Sequence, residues 1–125
     1  MPTGPASDPA KPAPPLSPEL LQAASATFGL LAATVRLHLV WLLAEGERDV
    51  GTLAEQVGHS IATVSHHLAK LKLAGLVRAR REGKHRVYFV DDQHVVEIVR
   101  LAIRHHGELE DSRLGRRESR HSRGA

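Results

Sequence analysis

The sequence contains no cysteine in its 125 residues, and this absence removes several kinds of chemistry. Disulfides, thiolate metal sites and cysteine nucleophiles are all excluded. Metal ions that prefer sulfur ligands, such as arsenic(III), lead(II) and cadmium(II), are disfavoured for the same reason. A metal site in this chain would have to use nitrogen and oxygen ligands.

Aromatic residues and long hydrophobic runs are also scarce. Aromatic side chains make up 3% of the chain, so the core should be aliphatic, which suits packed helices. The longest apolar run, around LHLVWLLA, is too short to cross a membrane and is flanked by charge. Nothing resembles a signal peptide. We therefore expect a cytoplasmic protein with no membrane partner.

Proline is confined to one end of the chain, where all seven prolines fall within the first 18 residues. Residues 1–16 are predicted to form a disordered, Pro-rich arm. Residues 111–125 contain five arginines and almost no apolar side chains, which predicts a flexible basic tail. One folded domain, of residues 17–110, remains between them.

Start and stop signals divide this domain into five helices and a hairpin. Ser17 followed by Pro18 is typical of a helix start, and Gly46, Gly58 and Gly75 are placed to end helices. The stretch LVRARREGKHRVYFV alternates about a turn near Gly83, as a β-hairpin does. The predicted fold is mainly α, in the order α-α-α-α-β-β-α.

The third and fourth helices form a helix-turn-helix candidate joined by GHS. In the second of the pair, IATVSHHLAKLKLAG, helical spacing predicts that Ile61, Val64, Leu68 and Leu71 face the core. The opposite face carries hydroxyls, imidazoles and a lysine but no carboxylate. Such a face can enter the major groove of DNA and reach base edges and phosphates. The alternative is a solvated face that happens to lack acids.

The hairpin that follows strengthens the DNA interpretation. Between Lys70 and Arg86, seven basic residues stand against one acid, Glu82. A basic hairpin after a helix-turn-helix is typical of a wing that contacts phosphates, although an edge hairpin can also carry charge to stay soluble. The sequence thus predicts a winged helix-turn-helix that binds double-stranded DNA. The candidate contacts are Ser60, Thr63, Ser65, His66, His67, Lys70, Arg81, Lys84 and Arg86.

The last helix, within DDQHVVEIVRLAIRHHGELED, carries a carboxylate and an imidazole at each end. At about 100° and 1.5 Å per residue, His94 and His105 share one face, with Glu108, but lie about 16 Å apart along the axis. Metal–ligand bonds are only about 2 Å long, so one helix cannot close both ends on one ion. Two antiparallel copies can, with Asp92 in the non-helical entry beside His94.

This ligand set has two nitrogen and two oxygen donors and two negative charges. It suits tetrahedral Zn(II), with Co(II) and Ni(II) less favoured. The alternative is that Asp92 only caps the helix, that His94 and His105 are interface residues, and that Glu108 is solvated.

The chain resembles the ArsR/SmtB family of metal-responsive winged-helix repressors over about residues 25–110. The resemblance is carried by LAEQVGHSIATVSHHLAKLKLAGLVRARREGKHRVYFV and by the pattern D-x-H-x10-H-x2-E in the last helix. In that family the pattern is the zinc site between the last helices, and Asp92, His94, His105 and Glu108 match it. LAATVR departs from the family, which commonly has Asp-Pro before the arginine; this affects a helix junction and no ligand.

The resemblance implies a homodimer formed through the first and last helices. Its apo form would bind an inverted repeat in an operator, and metal binding would release it. It also implies a hydrogen bond from the His105 ring to a backbone carbonyl near Gly75. Nickel and cobalt sensors of the family can add ligands from the C-terminal tail, where this chain has His121.

Three functions remain open from the sequence. The first is a Zn(II)-released repressor, with a Ni(II) or Co(II) sensor on the same site as its variant. The second is a DNA-binding regulator of this fold that does not sense metal. The third, a zinc hydrolase, is disfavoured because the chain has no H-E-x-x-H motif and four protein ligands leave no position for water. We expect no enzymatic activity and no small-molecule substrate.

Overall fold

A computed structural model describes the backbone of residues 10–123 and the side chains of residues 10–117. The helices are α1 (Pro18–Leu31), α2 (Thr34–Glu45), α3 (Val50–Val57), α4 (Ile61–Leu73) and α5 (Gln93–Arg123); the strands are β1 (Arg48–Asp49), β2 (Arg78–Glu82) and β3 (His85–Phe89). Residues 10–17 are exposed and lie in no helix or strand, and residues 1–9 of the predicted arm lie outside the described part.

The helix boundaries follow the local signals in the sequence. The Ser17 side chain accepts a hydrogen bond from the Leu20 N–H, with Pro18 at the first helical position. Ser60 does the same for α4 through the Thr63 N–H. Each such cap contributes about 1 kcal/mol by satisfying a free N–H of the first turn. Gly58 ends α3 at a φ of 74°, in the left-handed region that favours glycine.

The sheet has three antiparallel strands in the order β1-β3-β2. Its β2–β3 hairpin is the one predicted, with residues 83–84 as the loop and Gly83 at a φ of 59°. The sequence did not predict β1, which pairs Arg48 with Tyr88 and Asp49 with Val87. Two residues are too few to show a strand period, so this strand is recognisable only from its partner.

The core is mainly aliphatic, as the scarcity of aromatics predicts, with Tyr88 among its buried residues. Leu39 of α2, Leu53 of α3, Leu68 and Leu71 of α4, and Val99 of α5 are completely buried. Each contributes about 1.5–3 kcal/mol through removal of its apolar surface from water. Together they join all the helices except α1, whose only buried residue is Leu31.

Two predictions need correction, and the first concerns this core. Val64, Leu68 and Leu71 are buried, but Ile61 is 56% exposed. Ile61 is the first residue of α4, beside the turn from α3. Helical spacing gives the direction of a side chain and not the extent of the elements around it.

The other correction concerns the last helix, which continues to Arg123 and does not end near residue 110. Its segment 111–123 holds arginine, leucine and glutamate, which favour helix, and no proline. Glu110 and Arg113 also form an ion pair one turn apart, 2.9 Å between Oε2 and Nη2. From Leu101 to residue 117 every side chain is exposed, so this part of α5 projects from the body of the domain.

Candidate DNA-binding surface and metal site

The exposed face of α4 presents the groups that the sequence predicted for DNA. Thr63, His66 and Lys70 are exposed and lie within two turns of one another. Ser60 holds the beginning of this face in place, since its hydroxyl both accepts from the Thr63 N–H at 3.1 Å and donates to Thr63 Oγ1 at 2.9 Å. The face is therefore ordered at the N-terminal end of the helix, where winged helices contact bases.

Two of the candidate DNA contacts are less accessible. Ser65 and His67 are half-buried. Nδ1 of His67 lies 3.1 Å from Nη1 of Arg36 in α2, and Arg36 Nε donates to the Leu30 carbonyl at 2.7 Å. Burial lowers the pKa of the His67 imidazole below its ordinary value, and the positive charge of Arg36 lowers the pKa further.

The wing concentrates positive charge on an exposed hairpin. Arg81 and Arg86 stand directly opposite each other in the β2–β3 register, and Lys84 lies in the loop. Like charges at facing positions destabilise a hairpin in water. A polyanion placed against the wing removes that repulsion, so this arrangement favours phosphate binding. None of the three takes part in an ion pair among the described residues.

The remaining arginines of β2 have structural partners. Arg80 forms two hydrogen bonds with the Glu47 carboxylate, 2.7 and 2.5 Å long, and its guanidinium lies 5.5 Å from the centre of the Phe89 ring. This contact lowers the pKa of Glu47 and raises that of Arg80. Arg78 pairs with Asp91. These two arginines fix the wing to the body and leave Arg81, Lys84 and Arg86 available to a ligand.

Asp92 and His94 come together at the start of α5. Asp92 precedes the helix, and its Oδ1 accepts a hydrogen bond of 2.9 Å from the His94 N–H. The same oxygen lies 3.4 Å from Nδ1 of His94, and both side chains are exposed. Asp92 thus lies outside the regular helix, which is the position predicted for it if its side chain is to lie beside His94.

His105 and Glu108 lie three turns further along the same helix and are also exposed. Within the described residues, no three histidine, aspartate or glutamate side chains of one chain gather closely enough to hold a metal ion. The candidate ligands therefore fall in two pairs, Asp92 with His94 and His105 with Glu108, about three turns apart.

Apolar side chains lie exposed on α5, between the two pairs of candidate ligands, and on α1. Ile98 and Leu101, which separate them on α5, are 36% and 57% exposed. On α1, Leu20, Leu21 and Phe28 are exposed to a similar degree. Large apolar side chains clustered on two helices are typical of a protein–protein interface.

Two residues that organise this region, Arg36 and Arg100, were not predicted from the sequence. Arg100 Nη2 donates to the Ala44 carbonyl at 2.9 Å and fixes α5 to the end of α2. Both arginines bond to backbone carbonyls at helix ends. A carbonyl leaves no signal in the sequence, so these contacts were visible only in three dimensions.

No single helix in the described residues is long and apolar enough to cross a membrane; α1 and α2 pass such a test only as a pair, bent by 93°.

Comparison with known proteins places this architecture in a family. Residues 34–79 match the model described as "Bacterial regulatory protein, arsR family". The chain is 45% identical over 76 residues to the transcriptional regulator KmtR of Mycobacterium tuberculosis, covering 61% of this chain and 58% of KmtR. It is 40% identical over 100 residues to the transcriptional repressor SmtB of the same species, covering 80% and 73%.

Two further matches concern metal resistance and the fold. A homolog of the cadmium resistance regulatory protein CadC from Staphylococcus aureus is 39% identical over 83 residues, covering 66% of this chain and 69% of that protein. A homodimeric winged helix-turn-helix DNA-binding domain from Mycobacterium bovis, a possible ArsR-family regulator, has a TM-score of 0.64 and 34% identity, covering 77% of this chain and 85% of that domain. These relatives are regulators with the winged-helix fold and not enzymes, and this chain belongs to the arsR family of bacterial regulatory proteins.

Proposed function

We propose that this protein is a metal-responsive transcriptional repressor of the cytoplasm, which binds an inverted-repeat operator as a homodimer and is released when Zn(II) binds. The ion would be held by Asp92 and His94 of one protomer with His105 and Glu108 of the partner subunit. The observation that carries the proposal is the division of four ligand-type side chains into two exposed half-sites on one helix.

The DNA-binding part of the proposal depends on α4 and the wing. Thr63, His66 and Lys70 would read the major groove, and Arg81, Lys84 and Arg86 would contact phosphates. The first group is exposed on one helix face, and the second is the part of the wing that is free of ion pairs in the described residues. The family supplies the class of partner, because its members are named as transcriptional regulators and repressors.

The dimer part depends on the apolar faces of α1 and α5. Burial of Ile98, Leu101, Leu20, Leu21 and Phe28 between two copies would remove the exposed apolar surface from water. A twofold axis between antiparallel α5 helices would pass near Arg100, midway between His94 and His105. Each half-site would then meet the complementary half-site of the other protomer, which gives two equivalent sites.

The residues present fit a divalent ion of intermediate hardness. Two imidazoles and two carboxylates offer four donors and two negative charges, which suits tetrahedral zinc. When bound, Zn(II) would supply a charge that ligands from both protomers share. The protein's own contribution is to fix one half of the donor set: Asp92 is held at the helix start by its hydrogen bond to the His94 N–H.

Release from DNA then follows from a preference between dimer shapes. Ligands shared by two α5 helices favour the arrangement in which the half-sites meet. If α4 and its copy no longer match successive major grooves in that arrangement, metal and DNA oppose each other. Couplings of this kind are commonly about 1–3 kcal/mol and act equally in both directions.

The test is DNA binding measured by fluorescence anisotropy, with Zn(II), Co(II) and Ni(II) titrated separately. The duplex would be one that the wild-type protein selects from a random-sequence pool. We expect His105→Ala to bind the duplex normally and to stay bound when the ion is added. His106→Ala is the matched control, because His106 is turned about 100° away from the ligand face and should behave like wild type. Release of His105→Ala at the wild-type ion concentration would refute the site.

Two other outcomes select the alternatives. Release by Ni(II) or Co(II) but not by Zn(II), lost in His121→Ala, would indicate a nickel or cobalt sensor that adds a C-terminal ligand. DNA binding that no ion changes would indicate a regulator that does not sense metal.

A further inference from the structure

Arg36 belongs to α2 and hydrogen-bonds both to the end of α1 and to α4. It is the one side chain with this pair of contacts among the described residues. Its Nε donates to the Leu30 carbonyl at 2.7 Å, and its Nη1 lies 3.1 Å from Nδ1 of His67. From these contacts we propose that His67 is a positioning residue, which fixes the DNA-reading helix against the α1–α2 junction through Arg36 and does not itself contact DNA. The proposal deepens the proposed function and rests on it wherever DNA binding is the measurement.

The chemistry of the contact determines the state of the imidazole. A guanidinium has only N–H donors, so Nδ1 of His67 must be the acceptor and must carry no proton. The ring is therefore neutral, with its proton on Nε2. The lowered pKa of His67 agrees with this state, because burial and the charge of Arg36 both disfavour the imidazolium.

The position of His67 on α4 also separates it from the reading face. With Thr63 at 0° and about 100° per residue, the buried Val64, Leu68 and Leu71 lie at about 80–140°. His67 lies at about 40° and His66 at about −60°, so His67 stands at the border with the core. The burial of the two residues follows this order: His66 is exposed and His67 is half-buried.

The contact matters because of what α1 carries. The exposed Leu20, Leu21 and Phe28 of α1 belong to the face that we assign to the dimer. In a dimer that binds an inverted repeat, the two reading helices must be about 34 Å apart to enter successive grooves. A bond that fixes α4 relative to α1 therefore helps to set that spacing.

Two substitutions of His67 distinguish positioning from DNA contact. The side-chain oxygen of asparagine can occupy the place of Nδ1, whereas the polar end of glutamine reaches the place of Nε2. If His67 positions α4, His67→Asn should bind the selected duplex within about 3-fold of wild type, and His67→Gln at least about 10-fold more weakly. Arg36→Met should resemble His67→Gln, and the double variant should be no weaker than either single variant. The reverse order, with asparagine weak and glutamine near normal, would overturn the proposal in favour of a direct contact.

The dependence on pH gives a readout that simple packing would not change. Protonation of His67 removes the acceptor for Arg36 and places two cations together. The affinity of the wild type for DNA should therefore rise less on acidification than that of His67→Asn. The groups around the ring are Arg36 on α2, His66 and Lys70 on α4, and His59 in the preceding turn. All of them remain in His67→Asn, whose affinity for DNA should show the full rise on acidification. Identical profiles for wild type and His67→Asn would contradict the proposal.

A measurement without DNA keeps the proposal testable if a variant fails to fold. In wild-type protein with ¹⁵N-labelled histidine, NMR should assign His67 to the tautomer protonated at Nε2. A predominant Nδ1–H tautomer would refute the hydrogen bond with Arg36. This result is independent of the proposed function. If the wild-type protein selected no duplex, the repressor proposal would be wrong, but the tautomer would still decide whether His67 accepts from Arg36.

Discussion

Nη1 of Arg78 lies 2.7 Å from Oδ2 of Asp91, so an ion pair joins the first strand of the wing to the residue before the candidate metal ligand Asp92. The two side chains are 64% and 53% exposed. Water therefore screens the pair, and exposed pairs contribute about 0–1 kcal/mol. We expect Arg78→Ala to lower the free energy of unfolding in urea by about 1 kcal/mol or less, including loss of the Arg78 contact with the Phe89 ring. Arg78→Lys is the control that keeps the charge. A loss above about 2 kcal/mol would mean that the pair is far less hydrated than its exposure indicates.

Asp92 has two roles that one substitution can separate. Asparagine caps a helix about as well as aspartate, but an amide is a poor ligand for zinc. Asp92→Asn should therefore change the free energy of unfolding by less than about 0.5 kcal/mol and weaken Zn(II) binding at least about 10-fold. Asp92→Ala should weaken Zn(II) binding similarly and also cost about 1 kcal/mol of stability through loss of the cap. Urea unfolding and competition with a zinc chelator measure the two quantities. Unchanged zinc affinity in Asp92→Asn would remove this residue from the site.

The wing residues should differ in their effect on the salt dependence of DNA binding. Lys84→Ala and Arg86→Ala should each weaken binding to all duplexes alike and reduce the salt slope by about 0.9, the value for one phosphate contact. Arg78→Ala is the matched control. The charge of Arg78 is paired with Asp91, so this substitution should leave the salt slope nearly unchanged. Binding isotherms on the selected duplex and on a scrambled one, at several salt concentrations, measure these slopes. A loss restricted to the selected duplex would assign Lys84 or Arg86 to base reading.

The parts of the fold that could be predicted from sequence are those whose cause is local. Ser17 and Ser60 cap helices through hydrogen bonds within three residues, and Gly58 and Gly83 adopt positive φ values that glycine allows. Each signal lies beside the feature that it produces. The helix-turn-helix and the wing followed directly from such signals.

The parts that could not be predicted depend on partners distant in sequence. The strand β1 exists because β3 lies beside it, and the contact of His67 with Arg36, which spans 31 residues, left no signal in the sequence. For the metal ligands, spacing predicted that one chain cannot close His94 and His105 on one ion. Among the described residues, no three histidine, aspartate or glutamate side chains of one chain lie close enough together to hold a metal ion. That the two pairs of ligands meet across a dimer stays a prediction.

The difference between Ile61 and Leu68 gives a test of the corrected core. Leu68 is completely buried, so Leu68→Ala should cost about 2–5 kcal/mol through lost burial and the cavity left behind. Ile61 is 56% exposed, and Ile61→Ala should cost about 1 kcal/mol or less. Urea unfolding of both variants measures the difference. Equal and large losses would return Ile61 to the core, as the helical spacing alone suggested.

Acid should weaken the attachment of the wing through Glu47 and the cap of α3 by Asp49. The hydrogen bond with Arg80 lowers the pKa of Glu47 below 4.5, and the hydrogen bond from the Thr52 N–H lowers that of Asp49 below 3.8. A carboxyl whose pKa is lower in the folded state binds fewer protons there than in the unfolded state. Its stabilising contribution is therefore complete above the ordinary pKa and is lost as pH falls through the lowered one.

We expect the urea midpoint to decline below about pH 4.5, and the decline to be shallower in Glu47→Gln, whose amide cannot titrate. Leu73→Ala, at a side chain that is 92% exposed and carries no charge, should keep the wild-type profile. If Glu47→Gln followed the wild-type curve throughout, the acid sensitivity would arise from other carboxylates, and the Glu47–Arg80 contact would contribute nothing measurable to it.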